Sequence, residues 1–569
     1  MKNLLFICCW LYWSLGLSAQ SSTNAPLHDD NHKIIDRLQI RTGDFNGLHT
    51  FTGPLTRKDI VDYKNWAESE STFAEKLKGS KRYQEDLRYI TNDNNDTDTS
   101  VHSRKPFLKY FYRTPAHLFE VRTKAFYFNI NPIFHLKFGY EMRGNGGGGG
   151  LTFLNRRGAE IRGNIADKVY FYTSVTESQA RFPTYVTNRV DRDFAIPGAG
   201  FFKQYDSRLT PQADDGFDYL VAQGYVGFNA TKYIGIQLGH GTNFIGDGHR
   251  SLFLSDYAPN YFYLKLNTRV WKIQYQNIFA ELTQNYTPFQ RAQDDPFPKK
   301  YMAAHHLSIN ILKNLNIGLF ESVIFSRGGS MELQYLNPII FYRAVEQAVG
   351  SPDNVMIGLN WKYNFLKTAS FYGQFVLDEL SIGDISTNGF GWWGNKFGLQ
   401  AGLKYIDAFG LDHLDLQVEY NMVRPYTYTF RDSTAIYNHY HQPLAHPLGA
   451  NFHEVTAIVN YQPIPKLNIR AQMNYAQYGQ DTLGSNWGSN LNPSYFTREQ
   501  ENNNKIGQGV KTNLLWFQLW VSYQIRHNLY ADLQFTHRNE NATLDALDNS
   551  ANIISLGIRW NIAERNNDW

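Results

Sequence analysis

The sequence predicts an all-β protein, a transmembrane barrel of about eighteen antiparallel strands of the outer-membrane kind. From about residue 126 onward, apolar and polar side chains alternate with a period of two, as in a strand with two different faces. Long polar or glycine-rich links alternate with short links along the chain, as they do in outer-membrane barrels. No apolar stretch after the N-terminal region reaches the ~18 residues that a membrane helix needs.

The first element is an export signal, residues 1–19. Lys2 supplies a positive charge, residues 4–17 form an apolar run, and small residues precede the expected cleavage. Cys8 and Cys9, the two cysteines of the chain, lie inside this signal. The exported protein is therefore expected to have no disulfide, thiol nucleophile or thiolate metal site. Loss of Lys2 lowers the formal net charge from +3 to +2, too balanced to indicate a nucleic-acid partner.

Residues 20–118 are expected to form a small helical part on the periplasmic side. Thr56 is placed to cap a helix, with Asp59 three residues later, and residues 81–90 (KRYQEDLRYI) show a second helical pattern. We treat residues 119–129 as a lead-in to the barrel, because counting them as a further strand would give an odd number of strands.

The barrel itself is expected to span residues 119–562. Residues 414–422 and 467–475 show the pattern, with large apolar side chains on one face and polar ones such as Glu419 and Arg470 on the other. A soluble β-sandwich shows the same alternation, with the apolar face on its core instead of on lipid. The alternation of long and short links favours the barrel.

The end of the chain departs from the usual barrel pattern. The last predicted strand, residues 554–562, is followed by a tail, residues 563–569. Barrel-insertion signals usually place an aromatic residue at the end of the strand itself, whereas here Trp569 is separated from the strand by the polar tail.

The leading candidate for the functional site is residues 239–260, GHGTNFIGDGHRSLFLSDYAPN, a glycine-rich polar link between two strands. A hydrolase interpretation would use Ser251 with His249 and Asp247, but no nucleophile elbow is recognisable in the sequence. The alternative is a folded loop in which two glycines supply positive φ and Arg250 pairs with Asp247 or Asp256. The two glycines are Gly246 and Gly248.

A second candidate is a short helix inside a long loop. Asn337 suits the N-cap, Pro338 the first turn and Gly350 the stop. Folded into the lumen, this helix would plug the barrel and offer Arg343 to an anion. The alternative is a helix that packs on neighbouring loops.

Histidines are concentrated in one region, at His439, His441, His446 and His453. A His-x-His pair on a strand can bind zinc, but no carboxylate other than Glu454 has ligand spacing, so histidines on surface loops are favoured over a metal site.

Three further features lie in loops. Residues 444–454, which include His446, Asn451 and Glu454, are interpreted as a turn-rich recognition loop. Trp392 and Trp393 lie beside glycines and could stack on sugar rings, although an interfacial girdle position is favoured. The glycine run at residues 146–150 has no phosphate-binding lysine after it and does not indicate a nucleotide site.

Three segments resemble the capsule-assembly family typified by Wzi. They are LGHGTNFIGDGHRSLFLSDYAPN, ELQYLNPIIFYR and AHPLGANFHE, and the order of motifs runs through most of residues 119–562. The resemblance extends to relatives in Bacteroidota, including gliding-motility-associated outer-membrane proteins such as RemB. The resemblance implies an eighteen-stranded outer-membrane barrel that attaches or assembles exported polysaccharide without turnover. It places Gly246, Asp247, Gly248, Arg250 and Ser251 in the family motif, as glycan contacts or as holders of a lumen plug.

We therefore expect a non-enzymatic, cofactor-free barrel in the outer membrane that binds surface polysaccharide, with possible partners among motility or adhesion proteins. The alternatives are a porin-like diffusion channel, an outer-membrane hydrolase and an adhesin or gliding component that acts through protein partners.

Overall fold

The computed structural model describes residues 22–94, 116–144, 149–207, 215–286, 296–328, 330–350 and 353–569, apart from residues 382, 384, 386–388 and 483. The expected signal peptide, both cysteines and part of the glycine run at 146–150 lie outside the described residues.

The described chain folds into one closed antiparallel barrel of eighteen long strands, which confirms the predicted fold class. The last strand pairs with the first, with Trp560 opposite Phe134, so the sheet leaves no open edge. The strands are β1 (Phe126–Arg143), β2 (Gly149–Ile165), β3 (Val169–Arg181), β4 (Gly216–Asn229), β5 (Ile234–Gly241), β6 (Tyr261–Val270), β7 (Ile273–Thr283), β8 (Lys299–Leu312), β9 (Leu315–Phe325), β10 (Asn354–Phe365), β11 (Ala369–Glu379), β12 (Lys396–Tyr405), β13 (Leu414–Val423), β14 (Phe452–Ile464), β15 (Leu467–Gln480), β16 (Val510–Arg526), β17 (Leu529–Ala542) and β18 (Asn549–Trp560).

The lead-in to the barrel is shorter than expected. The segment Phe119–Arg122 pairs with the start of β1, with Phe119 opposite Ile130, beside the end of β18. Residues 126–129, which were assigned to the lead-in, belong to β1 itself because they form a ladder with β2.

Long and short links emerge at opposite ends of the barrel. Tight turns such as Ala166–Asp167 and Leu366–Lys367 have two consecutive residues with positive φ, the geometry of a two-residue hairpin turn. The long links carry most of the remaining structure, and we call their side the long-loop end. Their helices are α5 (Thr184–Asp193) and α6 (Tyr342–Ala348), and their short strands are Lys203–Tyr205, Phe244–Ile245, Asn438–His439 and Gln442–Pro443.

Within residues 22–94, four helices precede the barrel, α1 (Asp30–Thr42), α2 (Arg57–Ser69), α3 (Ala74–Gly79) and α4 (Lys81–Asp93). Thr56 caps α2 by accepting a hydrogen bond from the Asp59 N–H, as the sequence predicts. The helices share a core and dock at the short-turn end, where Arg82 donates to the Pro463 carbonyl at 2.8 Å. None of the helices in the described ranges is long and apolar enough to cross a membrane.

Candidate functional site

Residues 242–260, the link between β5 and β6, fold into the lumen and form the apolar core inside the barrel. We call them the central segment. Leu252, Phe253 and Leu254 are fully buried among lumen-facing side chains of the wall and residues of the 424–451 loop. Phe253 stacks on Phe320 of β9, with ring centroids 4.7 Å apart. This central segment therefore lies inside the lumen instead of standing above it.

Arg250 lies at the centre of a buried ion-pair network. Its guanidinium donates to Glu454 Oε1 on β14 at 3.1 Å and to Asp568 Oδ1 in the C-terminal tail at 2.8 Å. Its backbone N–H donates to Glu419 Oε1 on β13 at 3.0 Å. His446 Nε2 lies 2.8 Å from Glu454 Oε2. Arg250 therefore joins the central segment to the barrel wall on one side and to the tail on the other.

The charges of this network stabilise one another. Burial opposes the charge of Arg250, but Asp568 and Glu454 outweigh it and raise the pKa of the guanidinium. Burial also opposes the charge of Asp568, but Arg250 and His249 outweigh it and hold the pKa of the carboxyl well below its usual range. Both groups are therefore charged in the folded protein at neutral pH.

The prediction that Arg250 pairs with Asp247 or Asp256 is wrong. Asp247 instead accepts from Thr50 Oγ1 at 2.7 Å and lies 3.3 Å from Lys362 Nζ on β10. Asp256 lies 2.7 Å from His28 Nε2. Both carboxylates therefore bind residues of the segment that precedes the barrel. Because these partners are about two hundred residues away in the sequence, no local pattern indicated them.

The expected role of the two glycines is also wrong, because neither Gly246 nor Gly248 has a positive φ. Their small size is what the site requires. A Cβ on Gly248 would lie 2.4 Å from Glu419 Oε2 and 2.8 Å from the Arg250 carbonyl oxygen. Gly248 therefore lets the backbone approach closely enough for Glu419 to accept both the His249 and Arg250 N–H groups, at 2.7 and 3.0 Å.

Replacement of Gly248 by alanine is expected to lower the free energy of unfolding by about 1–3 kcal/mol, the usual cost of overpacking a buried site. The matched control is Gly79→Ala, where an added Cβ meets nothing within 4 Å and the change should stay within about 0.5 kcal/mol. Urea titration of both refolded variants measures the difference, and equal midpoints would refute the close-approach role.

Ser251 does not form a catalytic triad with its neighbours. Its hydroxyl donates to the Ile245 carbonyl at 2.5 Å and lies near Gln374, while His249 points to Asp568 at 2.7 Å. In this arrangement Ser251 holds a turn. The described residues also contain no group of three or more His, Cys, Asp or Glu side chains placed to bind a metal ion.

Two distant segments meet the central segment inside the lumen. From the short-turn end, the short strand Thr52–Gly53 pairs with Phe244–Ile245. From β18, the tail runs inward, so that Asp568 reaches Arg250 and the Trp569 ring lies 5.3 Å from Tyr257. The sequence reasoning missed Asp568, although the unusual tail after the last strand was the available signal.

The histidines of the 424–451 loop are not surface residues, contrary to expectation. His439, His441 and His446 are buried, and each has a different partner. His439 accepts from the Thr283 N–H at 2.9 Å, and His441 Nε2 lies 2.7 Å from the Tyr286 carbonyl oxygen. Because the loop folds into the lumen, these rings bind the ends of β7 and β14 and the loop that follows β7.

Asn451 ends this loop in the left-handed conformation, with a φ of 62°. Its side chain accepts from the Gly507 N–H at 2.7 Å and donates to the Gln508 carbonyl at 2.9 Å. Asn451 and Glu454 are buried, so both hold loops in place in the described structure.

The predicted helix near Arg343 forms as α6, but it begins at Tyr342 with Phe341, not Asn337, as its N-cap, and it does not enter the lumen. It packs on the outer wall of the barrel against side chains of β7 to β10. The Arg343 guanidinium pairs with Glu346 at 2.7 Å. The lumen-plug interpretation of this helix is therefore wrong.

Trp392 and Trp393 lie in a loop cluster at the long-loop end, not in a strand-borne girdle. Trp393 lies 5.6 Å from Trp392 and 4.8 Å from Tyr495, a residue of the 481–509 loop, and Arg498 stacks over it at 4.3 Å. Phe496 adjoins Tyr495 at 5.0 Å and is 68% exposed. We call these five residues the aromatic platform.

A cavity of about 710 Å³ with a mixed polar and apolar lining remains in the lumen beside the Arg250 network. It lies between the segment that precedes the barrel (the N-terminal segment, residues 22–94), the tail and the wall. Its lining includes Arg156, Arg470, Tyr172 and Trp520.

Comparison with family models and with curated proteins gives no match. Among solved structures, the chain is similar to Wzi of Escherichia coli, described as an outer membrane protein involved in group 1 capsule assembly and as a carbohydrate-binding β-barrel. The TM-score is 0.56 and the identity 14%, over 95% of this chain and 99% of that one. At this identity the likeness shows the fold alone, that of an outer-membrane β-barrel.

Two further similar structures are Acinetobacter baumannii OccAB2, with a TM-score of 0.42 and 9% identity, and Pseudomonas aeruginosa OprD, with 0.39 and 12%. They cover 76% and 75% of this chain and 98% and 94% of their own chains. Scores this low support no functional argument. The expected kinship with gliding-motility proteins stays a prediction.

Proposed function

We propose that this chain is a non-enzymatic outer-membrane protein that binds surface polysaccharide at its long-loop end. The aromatic platform is the observation that carries the proposal. Its rings and its cation come from two separate loops, and aromatic faces of this kind stack on the apolar faces of sugar rings. The barrel fold shared with Wzi, which is described as carbohydrate binding, supports the same function.

The apolar cluster inside the lumen supports binding over transport. The central segment and the 424–451 loop bury a continuous apolar cluster against the wall, and the N-terminal segment meets them from the other end. The residues of the glycine-rich motif therefore hold the fold and leave recognition to exposed loops. A porin-like channel, the alternative, needs a continuous water-filled path.

Phe496→Ala is the first test of the platform. Loss of an exposed ring that stacks on a sugar is expected to cost more than about 1 kcal/mol, or about fivefold in Kd. The measurement is titration of the purified barrel with polysaccharide shed by the cells that make it. The matched control is Phe409→Ala, which removes a phenylalanine that is 77% exposed at the short-turn end and should leave Kd unchanged.

The cellular counterpart compares surface-retained with shed polysaccharide at equal total synthesis. A deletion strain is expected to shed more, and wild-type protein, but not the Phe496→Ala variant, is expected to restore retention. Unchanged binding and unchanged retention with Phe496→Ala and Trp393→Ala would refute the proposal.

A further inference from the structure

The barrel wall has a gap at the long-loop end of β5. This strand ends at Gly241, which lies opposite Tyr261, the first residue of β6. β4 extends further, because it pairs with β3 as far as Phe217 but with β5 only over residues 224–229. Among the described residues, no strand therefore pairs with residues 219–223 of β4 on the side of β5. We call this gap the side window.

Protein frames the side window above and across. The short strand Lys203–Tyr205 pairs with residues 216–218 of β4 at its upper end. The Asn260 side chain spans the opening, since its Nδ2 donates to the Ala222 carbonyl at 2.8 Å and its Oδ1 accepts from Gln223 Nε2 at 3.4 Å. The side window is therefore a defined opening with a polar side chain across it.

The outside of the side window faces the outer leaflet. Long loops of outer-membrane barrels are extracellular, so the long-loop end of β5 is its outer end. Leu220 and Phe262, which flank the window, are 59% and 49% exposed and apolar, whereas Lys203 and Asp218 above it are charged. The window therefore lies where the apolar band of the wall ends. At this boundary an unpaired strand edge is tolerated when it lines a polar cavity.

Inside the wall, the side window meets the lumen cavity described above. Val221 and Gln223 of β4 line this cavity on one side of the window, and His240 and Asn260 line it on the other. Since alternate residues of a strand face opposite sides and Leu220 faces lipid, Val221 and Gln223 face inward. The cavity therefore extends to the window.

Two arginines of the cavity lining are available to an anion. Arg565 of the tail donates to the Asp256 and Tyr257 carbonyls, at 2.7 and 2.9 Å, next to the window residue Asn260. Arg470 of β15 donates to Gln472 at 2.8 Å. Both side chains are half-buried, and neither forms a salt bridge within the described part of the chain.

The carboxylates closest to these arginines are bound by other basic groups. Asp256 lies 2.7 Å from His28 Nε2. Asp568 binds Arg250 and His249. Three carboxylates of the lining form no salt bridge among the described residues, and they bind groups near the short-turn end, away from the window: Asp29, Asp30 and Glu160.

We propose that the side window admits the phosphorylated head group of an outer-leaflet glycolipid, lipid A, to this cavity while its acyl chains stay in the membrane. Phosphate oxygens match the charge and the hydrogen-bond geometry of guanidinium groups. Basic pockets of membrane proteins bind anionic lipid head groups through the same chemistry. The inference goes beyond polysaccharide binding at the aromatic platform and depends only on the outer-membrane location.

Photo-crosslinking of the purified barrel in micelles that contain lipid A tests the proposal. Benzoylphenylalanine in place of Gln223, beside the window, is expected to yield an adduct heavier by one lipid A molecule. The matched control is benzoylphenylalanine in place of Gln518, a buried glutamine of β16 that is not part of the cavity lining. Absence of the adduct at residue 223, or an equal yield at residue 518, would overturn the proposal.

Variants in the residue-223 background test the route and the charge. Asn260→Ala is expected to speed adduct formation, and an unchanged rate would exclude passage through the window. Arg565→Met and, separately, Arg470→Met are expected to lower the yield at limiting lipid A about tenfold, since each removes a charge-assisted hydrogen bond to phosphate. Arg88→Met, an exposed arginine outside the barrel, is the control.

Two further measurements make the result specific. Heat-modifiable migration shows that each variant remains a folded barrel, so that a lower yield reports binding. Inorganic phosphate at the concentration of lipid A is expected not to compete, whereas competition would show a site for free anions and overturn the lipid route. Equal yields in the arginine variants and Arg88→Met would also overturn the proposal, and polysaccharide binding at the platform is measured separately with Phe496→Ala.

Discussion

Arg250→Met is expected to release the tail and the central segment from the barrel wall and to make the lumen conduct ions. The substitution keeps an apolar stem of similar length but leaves Glu454 and Asp568, both buried, without their shared cation. Removal of one partner from a buried ion pair costs about 3–5 kcal/mol because the other charge stays buried and uncompensated. We therefore expect a matching loss in the free energy of unfolding.

Two measurements check this result. Urea titration of the refolded protein gives the stability change, and planar-bilayer recording compares single-channel currents, expected to be small for wild type and large for Arg250→Met. The matched control is Arg88→Met, which removes an arginine whose pair with Glu85 is exposed and should cost less than about 1 kcal/mol. Unaltered currents and stability in Arg250→Met would show that the network does not close the barrel.

Phe253→Ala is expected to lower the free energy of unfolding by about 3–5 kcal/mol, the usual cost of truncating a buried phenylalanine. The ring is fully buried, stacks on Phe320 and lies over Gly358 of β10, where an added Cβ would be 2.4 Å from it. The wall therefore provides a space shaped for this ring, and the strands cannot collapse into the cavity that alanine leaves.

Urea titration of the refolded Phe253→Ala protein measures the loss in the free energy of unfolding. The rate of protease cleavage within residues 242–260 reports local opening of this segment. Phe409→Ala is the control, because that ring is exposed at the short-turn end and its removal should change stability by less than about 0.5 kcal/mol. Protease rates that do not differ between Phe253→Ala and wild type would contradict the lumen-core role of this segment.

Much of the fold could be predicted because its signals are local. Period-two alternation and link length need only neighbouring residues, and they predicted the barrel and its about eighteen strands. The cap at Thr56 was predicted for the same reason, since its partner lies three residues away.

The glycine-rich segment was singled out from the sequence, but the contacts of its residues were predicted wrongly. Sequence proximity suggested that Arg250 pairs with Asp247 or Asp256, whereas its partners are Glu454 and Asp568. The glycines suggested unusual φ angles, whereas Gly248 provides room for Glu419. Arg343 suggested a lumen helix, whereas its loop crosses the outer wall.

The amino-acid sequence alone shows which residues alternate, where the chain turns and which link is rich in glycine and charge. The residues that contact that link follow from the tertiary structure, because a closed barrel brings the N-terminal segment, the central segment and the tail into one lumen. A buried charge such as Arg250 needs an opposite charge beside it, and its partners Glu454 and Asp568 are hundreds of residues away in the sequence. No local sequence pattern indicates such a pair.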